Sequence, residues 1–301
     1  MQTITSVRPA ILRLGDPACG DSAQVGGKAA HLSRLAAEQH RVPAGFCLTA
    51  AAYRPDHPPE APLPADLEAE LAAAYEALSH SSGIPDVPVA VRSSALDEDG
   101  ELASFAGQHE TELNLVGIDA VLGAVARIWA SARNERALAY RKQQGLEVGG
   151  VRLAVLVQQL VLADTSAVVF SANPITGNRD EVVVTASWGL GESLVSGTVT
   201  PDTWVVRKAD LAVNEGRIGA KERMTVAAPG GTREVAVPRL LRERTSLSRA
   251  QVAELAELAV RLEVEMDRPV DIETAYAGEL LYLLQCRPIT TLGEPSPATL
   301  A

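Results

Sequence analysis

Large rings are scarce in this chain: Phe, Trp and Tyr make up 4% of its 301 residues. The core therefore has to be built from Ala, Val and Leu, and a hydrophobic content of 47% supplies enough of them. Cysteine is scarcer still. Cys19, Cys47 and Cys286 are odd in number, far apart and without a CxxC pair, which argues against a disulfide framework or a zinc site. Basic charge is in deficit. With 27 Lys and Arg against 38 Asp and Glu, the net charge is −11, so the basic face of a general nucleic-acid binder is not expected. An anionic small ligand is still compatible, because a local pocket can be positive on an acidic protein. No stretch of ~18 apolar residues occurs, and the opening MQTITSVRPAILRLGD has no long apolar run. No membrane partner is expected, and the expected location is cytoplasmic. The five histidines share no metal-ligand spacing, and no GxSxG elbow is present.

The signals that are present mix helix and strand. The length suits one large domain or two intimate subdomains. QVGGK (24–28) precedes AAHLSRLAAE and resembles a loop opening a helix. VPAGFCLTAAAY (42–53) reads as a turn, a short strand and a helix start at Thr49. Five prolines in residues 54–65 forbid regular structure there. Residues 65–78 have helical apolar spacing. VPVAVRSS and TELNLVG (111–117) read as strands, and 118–145 as one long helix or two shorter ones. Residues 151–161, 166–174 and 181–189 are further strands, and 203–228 reads as a β-meander closed by a Pro/Gly turn at 228–232. Residues 248–266 are helical, with Ser248 at the N-cap before Gln251. PVDIETAY and LLYLLQCRP form a terminal hairpin. Strands clustered in the second half favour an α+β protein with antiparallel sheets.

Three stretches carry candidate chemistry. Asp271 and Glu273 alternate with Val270 and Ile272, so on a strand both carboxylates share one face. Gln285 and Arg287 repeat that spacing on the partner strand. Hard oxygen ligands beside a guanidinium suit Mg²⁺ with phosphate, although the spacing alone equally fits a solvated strand face with a surface ion pair. Lys28 after Gly26-Gly27 is not a Walker A lysine, because Ala29 follows it; an exposed lysine at a helix start is the plain alternative. Arg92 ends a strand beside Ser93 and Ser94, where it can bind phosphate or cap carbonyls. The loop behind it carries Asp97, Glu98, Asp99 and Glu101 and then small residues. His109 follows as a possible proton carrier or a structural residue.

In order, VGGKAAHLSRL, VPAGFCLTAAAY, VAVRSSALDEDGELASFAGQHETELN, VLVQQLV, VVFSANPITGNRDEVVVTASWGLGESLVSGTVTPD and DIETAY…LLQCRPITTL resemble the ATP-grasp nucleotide-binding domain of the phosphoenolpyruvate synthase and pyruvate phosphate dikinase family. The similarity runs from about residue 20 to about 293 and is nearest to the phosphoenolpyruvate synthases and rifampin phosphotransferases. It implies an α+β ATP-grasp fold in which two subdomains, 1–150 and 151–301, clasp ATP. It also implies ATP and Mg²⁺ as cofactors. By position, Lys28 and Arg92 match the residues that hold the ATP phosphates. Ser104, Ala106, Gly107 and Gln108 match a small-residue loop closing over the triphosphate, where bare amides approach phosphate oxygens. Gln158, Gln159, Leu160 and Val161 match the adenine hinge, and Glu192 falls in a nucleotide-facing segment. Asp271 and Glu273 match the metal carboxylates. Arg92, Glu273, Gln285 and Arg287 make up the catalytic set.

The implied reaction splits ATP to AMP and phosphate, the β-phosphoryl group passing to a histidine on a separate swivelling domain. No motif around such a histidine follows His109, so the chain is not expected to complete that cycle alone. Three readings follow: a domain working with a longer phosphotransferase, a free-standing kinase that phosphorylates a small-molecule hydroxyl, or a non-catalytic ATP-binding module. The full set of Lys28, Arg92, Asp271, Glu273 and Arg287 argues against the third.

Overall fold

The computed structural model describes residues 9–54, 57–58, 61–96, 111–132, 152–289 and 292. The chain divides into two compact units, Met1–Leu160 and Val161–Ala301.

The first unit is built on a five-stranded antiparallel sheet. Its strands are β1 (Ile11–Arg13), β2 (Gly45–Leu48), β3 (Val89–Ala95), β4 (Thr111–Leu115) and β5 (Leu153–Gln159), in the spatial order β1-β2-β5-β3-β4. Helix α1 (Ser22–Ala37) covers one face; α2 (Ala65–Ser82) and α3 (Ile118–Ser131) cover the other. Strand alternation divides the core accordingly. Val155 and Val157 of β5 pack with Leu71, Tyr75, Ile128 and Trp129. Ala154 and Leu156, pointing the opposite way, pack with Val25, Ala29 and Leu32. With both faces covered, β3 is buried along its whole length, its polar Arg92, Ser93 and Ser94 included.

β5 belongs to this sheet, and the division into units falls at Leu160/Val161. After β2 no helix starts at Thr49; the Ala52 amide closes a turn onto the Thr49 carbonyl at 3.0 Å. Helix α3 ends at Ser131, and residues 133–151 lie outside the described residues.

The second unit holds a six-stranded antiparallel sheet in the order β13-β12-β6-β7-β8-β9. Its members are β6 (Thr165–Phe170), β7 (Glu181–Trp188), β8 (Asp202–Arg207), β9 (Val213–Arg217), β12 (Val270–Ala277) and β13 (Leu280–Pro288). Helix α4 (Arg249–Met266) opens with a complete capping box, Ser248 and Gln251 exchanging side-chain and backbone bonds. It lies on the face to which Tyr276 points, since the Tyr276 hydroxyl donates to Glu254 at 2.7 Å. Ile272 and Thr274 share that covered face; Asp271 and Glu273 point to the other.

The meander expected over 203–228 is interrupted. β8 and β9 pair, but β10 (Arg223–Ala228) leaves the sheet and forms a two-stranded hairpin with β11 (Gly231–Ala236). The break has a buried cause. Lys221 is fully buried against Asp202, and its Nζ also donates to the Gly219 carbonyl at 2.9 Å. Asp202 further accepts from the Gly219 amide at 2.8 Å, the Ser246 amide at 2.7 Å and Ser246 Oγ at 2.8 Å. A Cβ on Gly219 would collide with the Pro201 and Thr200 carbonyl oxygens. The chain is thus drawn inward at 219–221 and re-emerges as a hairpin.

Candidate functional site

In the first unit, QVGGK lies inside α1 rather than before it. At Gly26 the backbone leaves helical geometry (φ 74°, ψ 166°) and then resumes it. The bend presses the chain against the end of β3. A Cβ on Gly26 would fall 2.5 Å from Ser94 Oγ and closer still to the Ser94 carbonyl oxygen. The position therefore requires both a positive φ and the absence of a side chain. Past the bend, the Ala29 amide donates to Ser94 Oγ at 3.2 Å, and Lys28 Nζ donates to the Ser93 carbonyl at 3.0 Å. Lys28 is therefore not an exposed helix-start lysine: it is 9% exposed and docked on the Arg92-Ser93-Ser94 stretch. Arg92 is equally buried.

The residues expected at the adenine hinge take defined places. Gln158 is buried, and its amide nitrogen donates to the Pro43 carbonyl at 3.3 Å. The Gln159 and Leu160 amides donate to Ala44 and Pro88 carbonyls, each at 2.8 Å. Val161 begins the second unit. Ser104, Ala106, Gly107, Gln108 and His109 lie outside the described residues.

In the second unit, β12–β13 pairing places Asp271 opposite Arg287 and Glu273 opposite Gln285. Arg287 Nε donates to Asp271 Oδ2 at 2.9 Å, and its terminal nitrogen reaches the same oxygen at 2.8 Å. Gln285 Nε2 donates to Glu273 Oε1 at 3.1 Å. The four residues form two adjacent cross-strand pairs on the sheet face away from α4. Both Arg287 bonds use Oδ2, so Asp271 Oδ1 stays buried with no hydrogen-bond partner. Burial raises the Asp271 carboxyl above its ordinary value, Arg287 opposes the rise, and the Glu273 charge adds to it.

The GLGES turn is held on the same sheet face. Ser166 of β6 stands opposite Ala275, two residues along from Glu273, and its Oγ donates to the Gly189 carbonyl at 2.8 Å. Glu192 opens the one-turn helix Glu192–Val195 and accepts from Thr232 Oγ1 of β11 at 2.7 Å. Sequence reasoning missed Ser166, Thr232 and the Asp202–Lys221 pair. The pairings that bring them to their partners connect residues far apart in the chain, and no local spacing signals them.

The donor set fits a hard divalent cation. An unpartnered buried carboxylate oxygen on Asp271, with a second carboxylate on Glu273 two positions along the strand, supplies oxygen ligands of the kind Mg²⁺ takes. The exposed group Glu192 and the half-exposed Arg287 extend polar chemistry over the same unit.

The chain is thus a two-unit α+β protein with a strand-borne carboxylate and guanidinium array on one sheet face. Residues 59–300 match the family described as pyruvate phosphate dikinase, AMP/ATP-binding domain, and the chain belongs to it. Over 234 residues it is 44% identical to a probable phosphoenolpyruvate synthase of Methanocaldococcus jannaschii, covering 77% of this chain and 20% of that protein. Over 301 aligned residues it is 40% identical to a rifampicin phosphotransferase of Streptomyces sviceus, covering 90% of this chain and 34% of that protein. A phosphoenolpyruvate synthase of Pyrococcus furiosus is 43% identical over 245 residues, with 78% and 30% covered. The chain thus spans about a fifth to a third of the length of these relatives. The α+β organisation with antiparallel sheets expected for an ATP-grasp chain is present in both units. Among the described residues, no helix is long and apolar enough to cross a membrane.

Proposed function

We propose that this chain binds ATP with Mg²⁺ and works as the nucleotide-cleaving part of a phosphotransferase. The β-phosphoryl group passes to a histidine on a separate domain or to a small-molecule acceptor, and AMP and phosphate are released. The observation that carries this reading is the pairing of Asp271 with Arg287 and of Glu273 with Gln285 on one sheet face, with Asp271 Oδ1 buried and unpartnered. The match to an AMP/ATP-binding domain family supports it.

In this reading Asp271 and Glu273 hold the metal, which when bound supplies positive charge against the phosphate oxygens. Arg287 is steered by Asp271 so that its exposed half presents donors to a phosphoryl group, and Gln285 fixes the Glu273 carboxylate. Lys28 and Arg92 neutralise phosphate charge, Lys28 being aimed by its bond to Ser93. Ser104, Ala106, Gly107 and Gln108 supply small-residue amides over the triphosphate. Backbone groups from Gln158 to Val161 receive adenine. The Gln159 and Leu160 amides are already engaged by the Ala44 and Pro88 carbonyls. Positioning and charge stabilisation provide most of the catalysis in phosphoryl transfer.

The test is the purified chain with Mg²⁺ and ATP labelled separately at β and γ, with and without an added phosphohistidine domain of a relative. Transfer of β label with AMP and phosphate formed is the expected result. Transfer of γ label to a small molecule with ADP formed would replace it with a free-standing kinase. ATP binding without turnover under every condition would leave a binding module. Arg92→Ala and Glu273→Gln are each expected to keep the fold by circular dichroism and to lower turnover by about 100-fold or more. Undiminished turnover in either would remove that residue from the site.

A further inference from the structure

The hairpin β10–β11 is an unusual investment. Two-stranded hairpins have little stability of their own, and most of β11 is exposed or half-buried. Yet its root is tied down by the most buried ion pair among the described residues, Lys221 on Asp202, and by the Lys221 amide on the Thr200 carbonyl at 3.2 Å. Its strands hold the turn Gly189–Glu192, and Glu234 of β11 also accepts from Thr198 Oγ1 at 3.2 Å. The Leu190 amide donates to the buried Thr225 carbonyl at 2.9 Å, and a single antiparallel bridge links the two residues. Gly189 has φ 78°, and a Cβ there would collide with the Thr225 carbonyl oxygen. From β11, Thr232 Oγ1 donates to Glu192 Oε2 at 2.7 Å. From the other side, Ser166 Oγ holds the Gly189 carbonyl. The turn is clamped between the sheet and the hairpin, and the Thr232 side chain of the hairpin lands on the Glu192 carboxylate.

We propose that the hairpin is a brace for Glu192, and that Thr232 is a positioning residue which fixes the orientation of that carboxylate toward nucleotide. The inference rests on the reading of Glu192 as nucleotide-facing. A Glu side chain has three rotatable bonds, and an exposed carboxylate is normally free to sample them. A donor on Oε2 selects one arrangement and leaves Oε1 to accept from a ligand hydroxyl or amine. The cost of ordering Glu192 is then met in the fold before ligand arrives, which is how preorganisation raises affinity.

The experiment is calorimetric titration of the full chain with ATP, without turnover as a readout, for wild type, Glu192→Gln, Thr232→Val, Thr232→Ser and the Glu192→Gln/Thr232→Val pair. Loss of the brace in Thr232→Val is expected to weaken ATP binding about fivefold, of the order of the net worth of one ordinary hydrogen bond. Thr232→Ser, which keeps the hydroxyl, is expected to match wild type. In the double variant the Thr232→Val effect is expected to vanish, because the residue acts only through Glu192. Full Thr232→Val loss on top of Glu192→Gln would overturn the brace, as would wild-type affinity in Thr232→Val while Glu192→Gln binds weakly. Wild-type affinity in Glu192→Gln would instead overturn the nucleotide-facing reading beneath it. Should Thr232→Val lower the melting temperature, Thr232→Ala removes the same bond at this half-buried position without setting a methyl where the hydroxyl stood.

Discussion

Asp271 is held where a carboxylate costs stability. It is 7% exposed, one of its oxygens has no partner, and burial raises its carboxyl despite Arg287. A carboxyl raised on folding binds more protons in the folded state than in the unfolded one. Stability therefore falls as pH rises from the ordinary carboxylate range through the raised folded value, and stays reduced above it. Asp271→Asn is expected to melt higher than wild type at pH 7 without divalent metal, by about 2 °C. The gap should close as pH falls to roughly 4, where the unfolded aspartate also protonates. Thermal melts in a metal-free buffer series check this, and an unchanged gap across the series would mean the burial cost is absent. Lys221 behaves oppositely. Lys221→Met strands Asp202 in the core and is expected to cost about 3–5 kcal/mol in denaturant titrations.

At the scale of elements, the bend in α1 links sequence to site most directly. Gly26-Gly27-Lys28 is legible in the sequence as a break, but the sequence places the break before the helix and leaves the lysine at an exposed start. The structure shows the reverse: helix on both sides of the bend, and Lys28 buried on β3. The difference comes from Ser93 and Ser94, which receive Lys28 and Ala29 across 65 residues of chain. Gly26→Ala puts a methyl into Ser94 at a positive φ. A loss of about 1–3 kcal/mol or more in stability is expected, with ATP binding reduced in the fraction that still folds. Chemical denaturation and ATP titration of the variant together separate the two effects. Helix α4 illustrates the opposite case. Its cap, its apolar stripe and its end at Met266 are all local, and the expected span from Ser248 to Met266 is what the fold contains.

At the scale of the molecule, each unit keeps its thiols out of water. Cys19 and Cys47 lie in the first unit's core and Cys286 in the second unit's sheet. Burial pushes the Cys19 thiol up to about 11 and Cys286 to about 12, and raises Cys47 as well. None is expected to react with a disulfide reagent at pH 8 in the folded chain, and all three should react in denaturant. Because the thiols report on different units, a two-step rise in labelling with denaturant would show the units opening separately; a single step would show them opening together. Rapid labelling of any one in native buffer would contradict its burial.

The sequence by itself determined the α+β class, most of the strands and helices, the terminal hairpin and the family, because these depend on periodicity, turn residues and motif order, all written along the chain. It also placed Asp271, Glu273, Gln285 and Arg287 on one sheet face, since strand alternation needs no more than the spacing. Tertiary structure alone decided that β5 is the central strand of the first sheet, that β10 leaves the second, that Lys28 is docked on β3, and that Thr232 holds Glu192. Those features depend on buried hydrogen bonds and close backbone approaches between residues tens of positions apart. Such contacts are selected by the free energy of the whole packed unit, and no local pattern in the sequence encodes them.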